Sequence, residues 1–249
     1  MKFLASLVCV FIFVTAFSQK TKQVKPDSLQ IKLDGIFANY NNKTGPGVAL
    51  GIIQDGKVIV KKGYGLANME YDIPLTSASI FDIASVSKQF AGLAISMLVE
   101  QKKISLSDDI HKYVPEVPDF GQTITISHLV HHTSGLRDWP EGLNVAGWRW
   151  NEDFKWEDIL RMIRHQKDLD FPPGTKYSYS NSGYNLLALT VERVTGKYFR
   201  EWTDENIFKP LQMTNSHFLD QESTLRKNMA YSYSQDGSGE WRKQMTGLT

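Results

Sequence analysis

The sequence predicts an α/β fold in which one antiparallel hairpin precedes a mostly helical remainder. Two β-rich runs flank Asp55-Gly56, a pair that is typical of a type I′ hairpin turn. Several later segments place apolar residues at helical spacing. Because an isolated hairpin is only marginally stable, we expect further strands or helices to pack against these two strands.

The composition agrees with a globular protein that has one sizeable core. Hydrophobic residues make up 41% of the 249 residues and charged residues 22%, which are ordinary proportions for this class. The formal net charge of +1 gives no reason to expect a nucleic acid, an acidic polymer or a membrane surface as a partner.

The first 18 residues have the pattern of a signal peptide. Lys2 precedes an apolar stretch over residues 3–17, and the small residues Ala16 and Ser18 precede a polar segment. This pattern predicts export to the periplasm or the exterior, with cleavage after Ser18. A membrane anchor is the alternative, but about fifteen apolar residues are too few to span a bilayer comfortably. We therefore expect no stable membrane span after processing.

The boundaries of the globular domain follow from that segment. Residues 19–27 are polar and basic and are predicted to form a linker, so the domain is expected over residues 28–249. The single cysteine, Cys9, lies in the signal segment. The processed chain would then form no disulfide and no thiolate metal site, and covalent catalysis would need serine, threonine, lysine or a carboxylate.

The helices are predicted from capping residues and from apolar periodicity. Asp27 can cap a first helix that continues to about Tyr40. Further helices are predicted over about Ser85–Gln101; over ITISHLVHHTSGL, with Thr125 or Ser127 as cap and Gly135 as terminator; over WEDILRMIRHQ; and over NLLALTVERVTG, ending at Gly196.

Ser85 and Lys88 form an S-x-x-K pattern at the predicted start of a helix. Residues three apart share a helix face, so the Lys88 amine can reach Ser85 Oγ. A serine becomes a good nucleophile when a base takes its proton, and a lysine desolvated by flanking residues such as Phe81 and Val86 can be that base. The alternative is an ordinary buried helix start with Ser85 as N-cap, which the short pattern alone favours.

Tyr179-Ser180-Asn181 lies in a turn-rich loop before a later helix. A tyrosine near lysines can act as a phenolate base, and an asparagine amide can bridge a lysine and a substrate carbonyl. Taken alone, this stretch is better interpreted as a tyrosine-rich turn that ends in an Asn cap. The two patterns together, in this order and both at helix starts, are much less expected by chance.

Three histidines, His128, His131 and His132, lie close together in the sequence. Imidazoles at i and i+4 can bind one metal ion. No H-E-x-x-H pattern is present and no third ligand is obvious nearby, so a helix-capping role is favoured over a metal site.

Six ordered blocks carry a resemblance to a known family. They are GPGVALGIIQDGKVIVKKGYGLAN, FDIASVSKQF, ISLSDDIHKYVPE, ITISHLVHHTSGL, PPGTKYSYSNSGYNLL and IFKPLQMTNSHF. From about Asp34 onward the chain resembles the beta-lactamase-related serine hydrolases, which include class C beta-lactamases, D-alanyl-D-alanine carboxypeptidases, esterases and D-amino-acid amidases. The resemblance implies a beta-lactamase/transpeptidase-like fold, with an antiparallel sheet flanked by helices and a helical subdomain.

The same resemblance implies roles for four residues. Ser85 would be the acylated nucleophile, and Lys88 and Tyr179 would share the general-base and general-acid work. Asn181 would position Lys88 and the substrate. The HTSG segment that begins at His132 would be a structural turn. The implied substrate is a beta-lactam, a peptidoglycan peptide or an ester, and no cofactor or metal is implied.

One part of the family pattern is missing. Its third motif, a lysine or histidine followed by any residue and glycine, lies on a late strand that also supplies an oxyanion-hole N–H. Met245 stands before Thr246-Gly247, and Lys43-Thr44-Gly45 precedes Ser85 and is interpreted as a turn. We therefore expect the chain to end before the closing strands of the sheet. The missing motif favours a second hypothesis, a non-catalytic module that binds an acyl donor or a cell-wall peptide.

Overall fold

The computed structural model describes residues 26–148, 155–219 and 227–244. The predicted signal peptide, most of the predicted linker and the segment Met245-Thr246-Gly247 lie outside these residues, so the statements about them remain predictions. Within the described ranges, no helix has both the length and the apolar character needed to cross a membrane.

The described elements follow the predicted order, with a hairpin first and mostly helices after it. Some of them are connected by short 3₁₀ turns at Ala38–Tyr40, Ala84–Ser87 and Ile110–Lys112 and by a short π-helix at Asp204–Phe208. The helices are α1 (Pro26–Ile36), α2 (Lys88–Glu100), α3 (Ile126–Val130), α4 (Trp139–Val145), α5 (Trp156–Arg164), α6 (Asn181–Thr195) and α7 (Phe199–Thr203). The strands are β1 (Val48–Gln54), β2 (Lys57–Tyr64), β3 (Leu66–Asn68), β4 (Ile73–Pro74), β5 (Ser232–Gln235) and β6 (Trp241–Gln244).

The predicted hairpin is formed by β1 and β2. The two strands pair antiparallel, and a bulge lies between Ile52 and Ile53. Asp55 and Gly56 have φ angles of 48° and 72°, as the predicted type I′ turn requires. In the described part of the chain, β1 and β2 pair with no third strand, and β3–β4 and β5–β6 form two further pairs. Ile53 is accordingly 70% exposed on this hairpin.

The first helix anchors the hairpin by one carboxylate. Asp34 accepts hydrogen bonds from Lys62 Nζ at 2.6 Å and from Tyr64 Oη at 2.9 Å. These bonds lower the pKa of Asp34, with that from Lys62 contributing most. The prediction of a helix from Asp27 to about Tyr40 was wrong at both ends, because α1 begins at Pro26 and the chain turns into a separate 3₁₀ turn after it.

The core lies among the helices and holds the starts of α2 and α6 side by side. Helix α6 packs against both α2 and α3. Ala94 and Leu98 of α2, Leu129 of α3, and Leu186 and Leu187 of α6 are completely buried. Burying one leucine side chain contributes about 1.5–3 kcal/mol. This packing fixes the distance between two helix starts that are far apart in sequence.

The predicted helix boundaries were correct at some ends and wrong at others. The end of α6 was correct, because Gly196 follows it with a φ of 71°. Thr125, rather than Ser127, caps α3, and its hydroxyl accepts from His128 N at 3.1 Å. The helix ends at Val130, so Gly135 is not its terminator. Gly135 lies beyond the helix with a φ of 76°, at a position where a Cβ would stand 2.1 Å from the Phe171 carbonyl oxygen.

Candidate active site

Ser85 lies in the 3₁₀ turn immediately before α2, not inside the α-helix as predicted. The cap of α2 is Ser87, whose side chain makes no capping bond, so the N-cap role considered for Ser85 was also wrong. Ala84 has a φ of 43°, which is unusual for a residue with a side chain. Asp82 Oδ1 supports this turn by accepting from Ala84 N at 2.7 Å. The Ser85 hydroxyl is left exposed and available to other groups.

The structure brings the four predicted site residues together. Lys88 Nζ donates to Ser85 Oγ at 3.2 Å and to Asn181 Oδ1 at 2.8 Å. Tyr179 Oη donates to Ser85 Oγ at 2.8 Å, although 94 positions separate these two residues. Ser85 Oγ therefore accepts hydrogen bonds from both the Lys88 amine and the Tyr179 hydroxyl, and Asn181 Oδ1 holds the Lys88 amine in place.

Aromatic rings surround the lysine amine. Lys88 Nζ lies 4.9 Å from the centroid of the Tyr179 ring and 5.7 Å from that of Tyr184. Both distances are within the range of cation–π attraction. The expected apolar wall before the helix is absent from this arrangement, because Phe81 and Val86 are 38% and 61% exposed. The tyrosine rings, rather than those flanking residues, shield the amine.

This arrangement can move a proton in either direction. Ser85 Oγ accepts from both neighbours in the structure, so nucleophilic attack requires one of them to become the acceptor instead. A tyrosine hydroxyl is both donor and acceptor, and a neutral lysine amine is an acceptor. A relay through Tyr179 and Lys88 could therefore take the serine proton and return it to a leaving group.

His132 contributes to the site more directly than the predicted structural turn implied. Its ring lies 4.6 Å, centroid to centroid, from Tyr179 and stacks on Tyr184 at 4.9 Å. Its Nδ1 accepts from Ser180 N at 3.1 Å, and its carbonyl oxygen accepts from Ser178 N at 2.9 Å. His132 thus holds both sides of Tyr179 in place. His128 instead completes the capping box of α3, as its capping prediction stated, because its Nδ1 accepts from Thr125 N at 3.2 Å.

The contacts of His132 require a neutral ring. Burial lowers the pKa of His132 below its usual value of 6.5, and the charge of Lys88 lowers it further. The bond from Ser180 N needs a lone pair on Nδ1, which only the unprotonated nitrogen has. Protonation would therefore remove one of the bonds that position Tyr179.

We expect this histidine to make stability depend on pH. Since the pKa of His132 is lower in the folded chain than in the unfolded chain, its contribution is complete above about pH 6.5 and is lost as the pH falls through the lowered value. Asparagine keeps a hydrogen-bond acceptor and tolerates the positive φ of 56° that His132 has in the structure. In His132→Asn, the decline of Tm from pH 8 to pH 5 should therefore be smaller than in the wild type by roughly 1–4 °C. Thermal unfolding across this range measures the difference.

The matched control is His165→Asn, which changes an exposed histidine at the end of α5. Its decline in Tm should equal that of the wild type. An equal decline in His132→Asn and the wild type would show that His132 does not titrate in this range.

The fold and the site together define a class of protein. A serine and a lysine at the start of one buried helix, opposite a Tyr-x-Asn segment at the start of another, is the S-x-x-K arrangement of the beta-lactamase/transpeptidase-like fold. The chain belongs to the Beta-lactamase family, whose model matches residues 33–247.

Three known proteins show how far the similarity extends. Protein flp of Staphylococcus aureus strain MRSA252 is 32% identical over 197 residues, which cover 78% of this chain and 38% of flp. A D-aminopeptidase of Gluconobacter oxydans is 32% identical over 169 residues, covering 68% of this chain and 32% of that protein. The octameric penicillin-binding protein homologue from Pyrococcus abyssi superposes with a TM-score of 0.75 at 31% identity, covering 91% of this chain and 52% of the homologue.

The similarity covers a larger share of this chain than of each related protein. This chain spans less than two fifths of the length of either curated relative. Ser85, Lys88, Tyr179 and Asn181 all lie inside the family match.

Proposed function

We propose that the protein is a serine hydrolase that acts through an acyl-enzyme on an amide or beta-lactam carbonyl. The observation that carries this proposal is the convergence of Lys88 Nζ and Tyr179 Oη on Ser85 Oγ. Membership of the Beta-lactamase family supports it.

The proposed reaction has two steps. Ser85 Oγ attacks the carbonyl carbon while its proton passes to Tyr179 or Lys88, and the same pair then protonates the departing nitrogen. Water next attacks the acyl carbon and gives a proton to Tyr179 or Lys88. The same pair returns a proton to Ser85 Oγ as the bond between Oγ and the acyl carbon breaks. The acid product leaves and the Ser85 hydroxyl is restored. The proton transfers of these steps need a positioned relay, and the contacts of Lys88 and Tyr179 with Ser85 support one.

An amide or lactam suits this site because its leaving nitrogen must be protonated. Tyr179 Oη already carries a proton directed at Ser85 Oγ, so it is close to where that nitrogen would stand. The similarity to a D-aminopeptidase and to a penicillin-binding protein homologue agrees with this substrate class. An ester is the weaker candidate, because its leaving oxygen needs protonation less than an amide nitrogen does.

The proposal is tested on the full-length protein with a fluorophosphonate probe and a fluorescent penicillin. We expect each probe to add one label to the peptide that contains Ser85, identified by mass spectrometry. A panel of D- and L-amino-acid amides, a chromogenic cephalosporin and a nitrophenyl ester then compares turnover. A label on another residue, or none from either probe, would refute the proposed function. Labelling of Ser85 without any product would identify the non-catalytic binding module instead.

A further inference from the structure

Asp138 stands one residue before α4 and faces the start of α6. Its Oδ1 accepts from Asn181 N at 2.6 Å and from Ser182 N at 3.3 Å. Its Oδ2 accepts from Asn181 Nδ2 at 2.8 Å. One carboxylate therefore holds both the main chain and the side chain of Asn181, across 43 positions of sequence.

The contact to the side chain determines which end of the amide meets Lys88. An ionised carboxylate only accepts hydrogen bonds, whereas an asparagine amide has a donor end and an acceptor end. With Nδ2 bound to Asp138, the amide must present Oδ1 on its other side, and Oδ1 lies 2.8 Å from Lys88 Nζ. A flipped amide would instead direct its NH₂ group at the lysine amine.

The segment around Asp138 is fastened to α6 by further bonds. Ser182 Oγ donates to the Arg137 carbonyl oxygen at 2.8 Å and accepts from Trp139 N at 3.0 Å. Trp139 is 5% exposed, and its indole N–H donates to Asn185 Oδ1 at 3.0 Å. Asp138 is thus held on both sides by residues that are themselves tied to the helix it faces.

We infer that Asp138 is a positioning residue of this site. It fixes the orientation of the Asn181 amide, and through that amide it places the Lys88 amine beside Ser85 Oγ. This inference rests on the proposed function only in its kinetic consequence, since the hydrogen-bond polarity that it describes exists whatever the protein acylates.

A competing explanation is that Asp138 only caps α6. A carboxylate at a helix N-terminus stabilises the helix by accepting its free N–H groups. The two roles predict different effects when hydrogen-bond donor and acceptor groups are exchanged between positions 138 and 181. In Asp138→Asn the new amide oxygen can still accept from the two backbone N–H groups, but the new NH₂ group opposes the NH₂ group of Asn181.

The test combines Asp138→Asn with Asn181→Asp. In the double variant, the amide introduced at position 138 can donate to the carboxylate introduced at position 181. The other oxygen of that carboxylate can still accept from Lys88, so the bonding pattern is restored with its polarity reversed. The rate of Ser85 labelling by the fluorophosphonate probe should fall by about 10²-fold in Asp138→Asn, as for a small misplacement of a reacting group. The labelling rate of the double variant should be at least about tenfold higher than that of Asp138→Asn.

Asp119→Asn is the matched control, because Asp119 also accepts a backbone N–H, from Gly121 at 2.8 Å, and makes no contact with the site residues among its described bonds. Its labelling rate should equal the wild-type rate. An unchanged rate in Asp138→Asn, or a double variant no faster than Asp138→Asn, would overturn the inference. Wild-type protein that fails to label would refute the proposed function but not the inference.

Thermal unfolding tests the contact between the side chains at positions 138 and 181 without any measurement of activity. Asn181→Asp alone places two carboxylates against each other, so it should lower Tm, and adding Asp138→Asn should raise Tm again. Additive changes in Tm across the four proteins would show that the two side chains do not interact and would overturn the inference, even if the labelling rates could not be measured.

Discussion

Replacing Ser85 by alanine should abolish labelling by both probes and lower hydrolysis by about 10⁶-fold, the loss found when a covalent serine nucleophile is removed. Ser85 Oγ is the atom on which Lys88 Nζ and Tyr179 Oη converge. Without it the acyl-enzyme cannot form, and only direct attack by water on a bound substrate remains. Intact-protein mass spectrometry and steady-state turnover measure the two losses.

The sequence offers a closely matched control two positions away. Ser87 lies in the same 3₁₀ turn, caps α2 without a side-chain bond, and makes no described contact with the other site residues. Ser87→Ala should therefore label and turn over within about threefold of the wild type, as for a substitution that removes no named interaction. If Ser87→Ala abolishes labelling and Ser85→Ala does not, the nucleophile has been assigned to the wrong serine.

Replacing Lys88 by alanine should lower the rate of acylation by about 10²- to 10⁴-fold, the usual contribution of a positioned acid or base. The substitution removes one of the two groups that can accept the Ser85 proton. It also leaves Asn181 Oδ1 without the amine that it holds at 2.8 Å. Stopped-flow measurement of probe labelling isolates this step from the later hydrolysis.

Two further variants show whether the loss comes from the amine or from a general effect of charge. Lys88→Arg keeps a positive charge that cannot be released in a protein, so it should be as slow as Lys88→Ala if the amine must accept a proton. Lys103→Ala removes an exposed lysine just beyond α2 and should have no effect. A Lys88→Ala rate within about tenfold of the wild type would exclude Lys88 from the proton relay and leave Tyr179 as the base.

The local features of the fold could be predicted because short segments determine them. The Asp55-Gly56 turn is set by two residues that accept positive φ angles, and both angles are positive. Gly196 ends α6 for the same reason. Local periodicity was less successful where burial depends on distant partners. Leu93 is an apolar residue inside the helix predicted over about Ser85–Gln101, yet it is 41% exposed in α2.

The predicted site residues were found through two short patterns, and their roles stay predictions until the variants are measured. The sequence supplied Ser85 with Lys88 and Tyr179 with Asn181, because each pair lies within one local segment. His132 was assigned a helix-capping role or a place in a structural turn, and Asp138 was missed altogether. The one signal that could have found Asp138 is its place directly after the HTSGLR stretch, immediately before an aromatic residue that begins a helix.

The sequence by itself determined the type I′ hairpin, the end of α6 and the two local residue pairs, since turn geometry and spacing act over a few positions. Only the tertiary structure decided that these pairs meet, with Tyr179 Oη 2.8 Å from Ser85 Oγ. It also decided that Asp138 orients Asn181 and that the His132 ring lies against Tyr179. These contacts join residues 43 to 94 positions apart. Their distances are fixed by the packing of α2, α3 and α6 around one core, which no local pattern encodes.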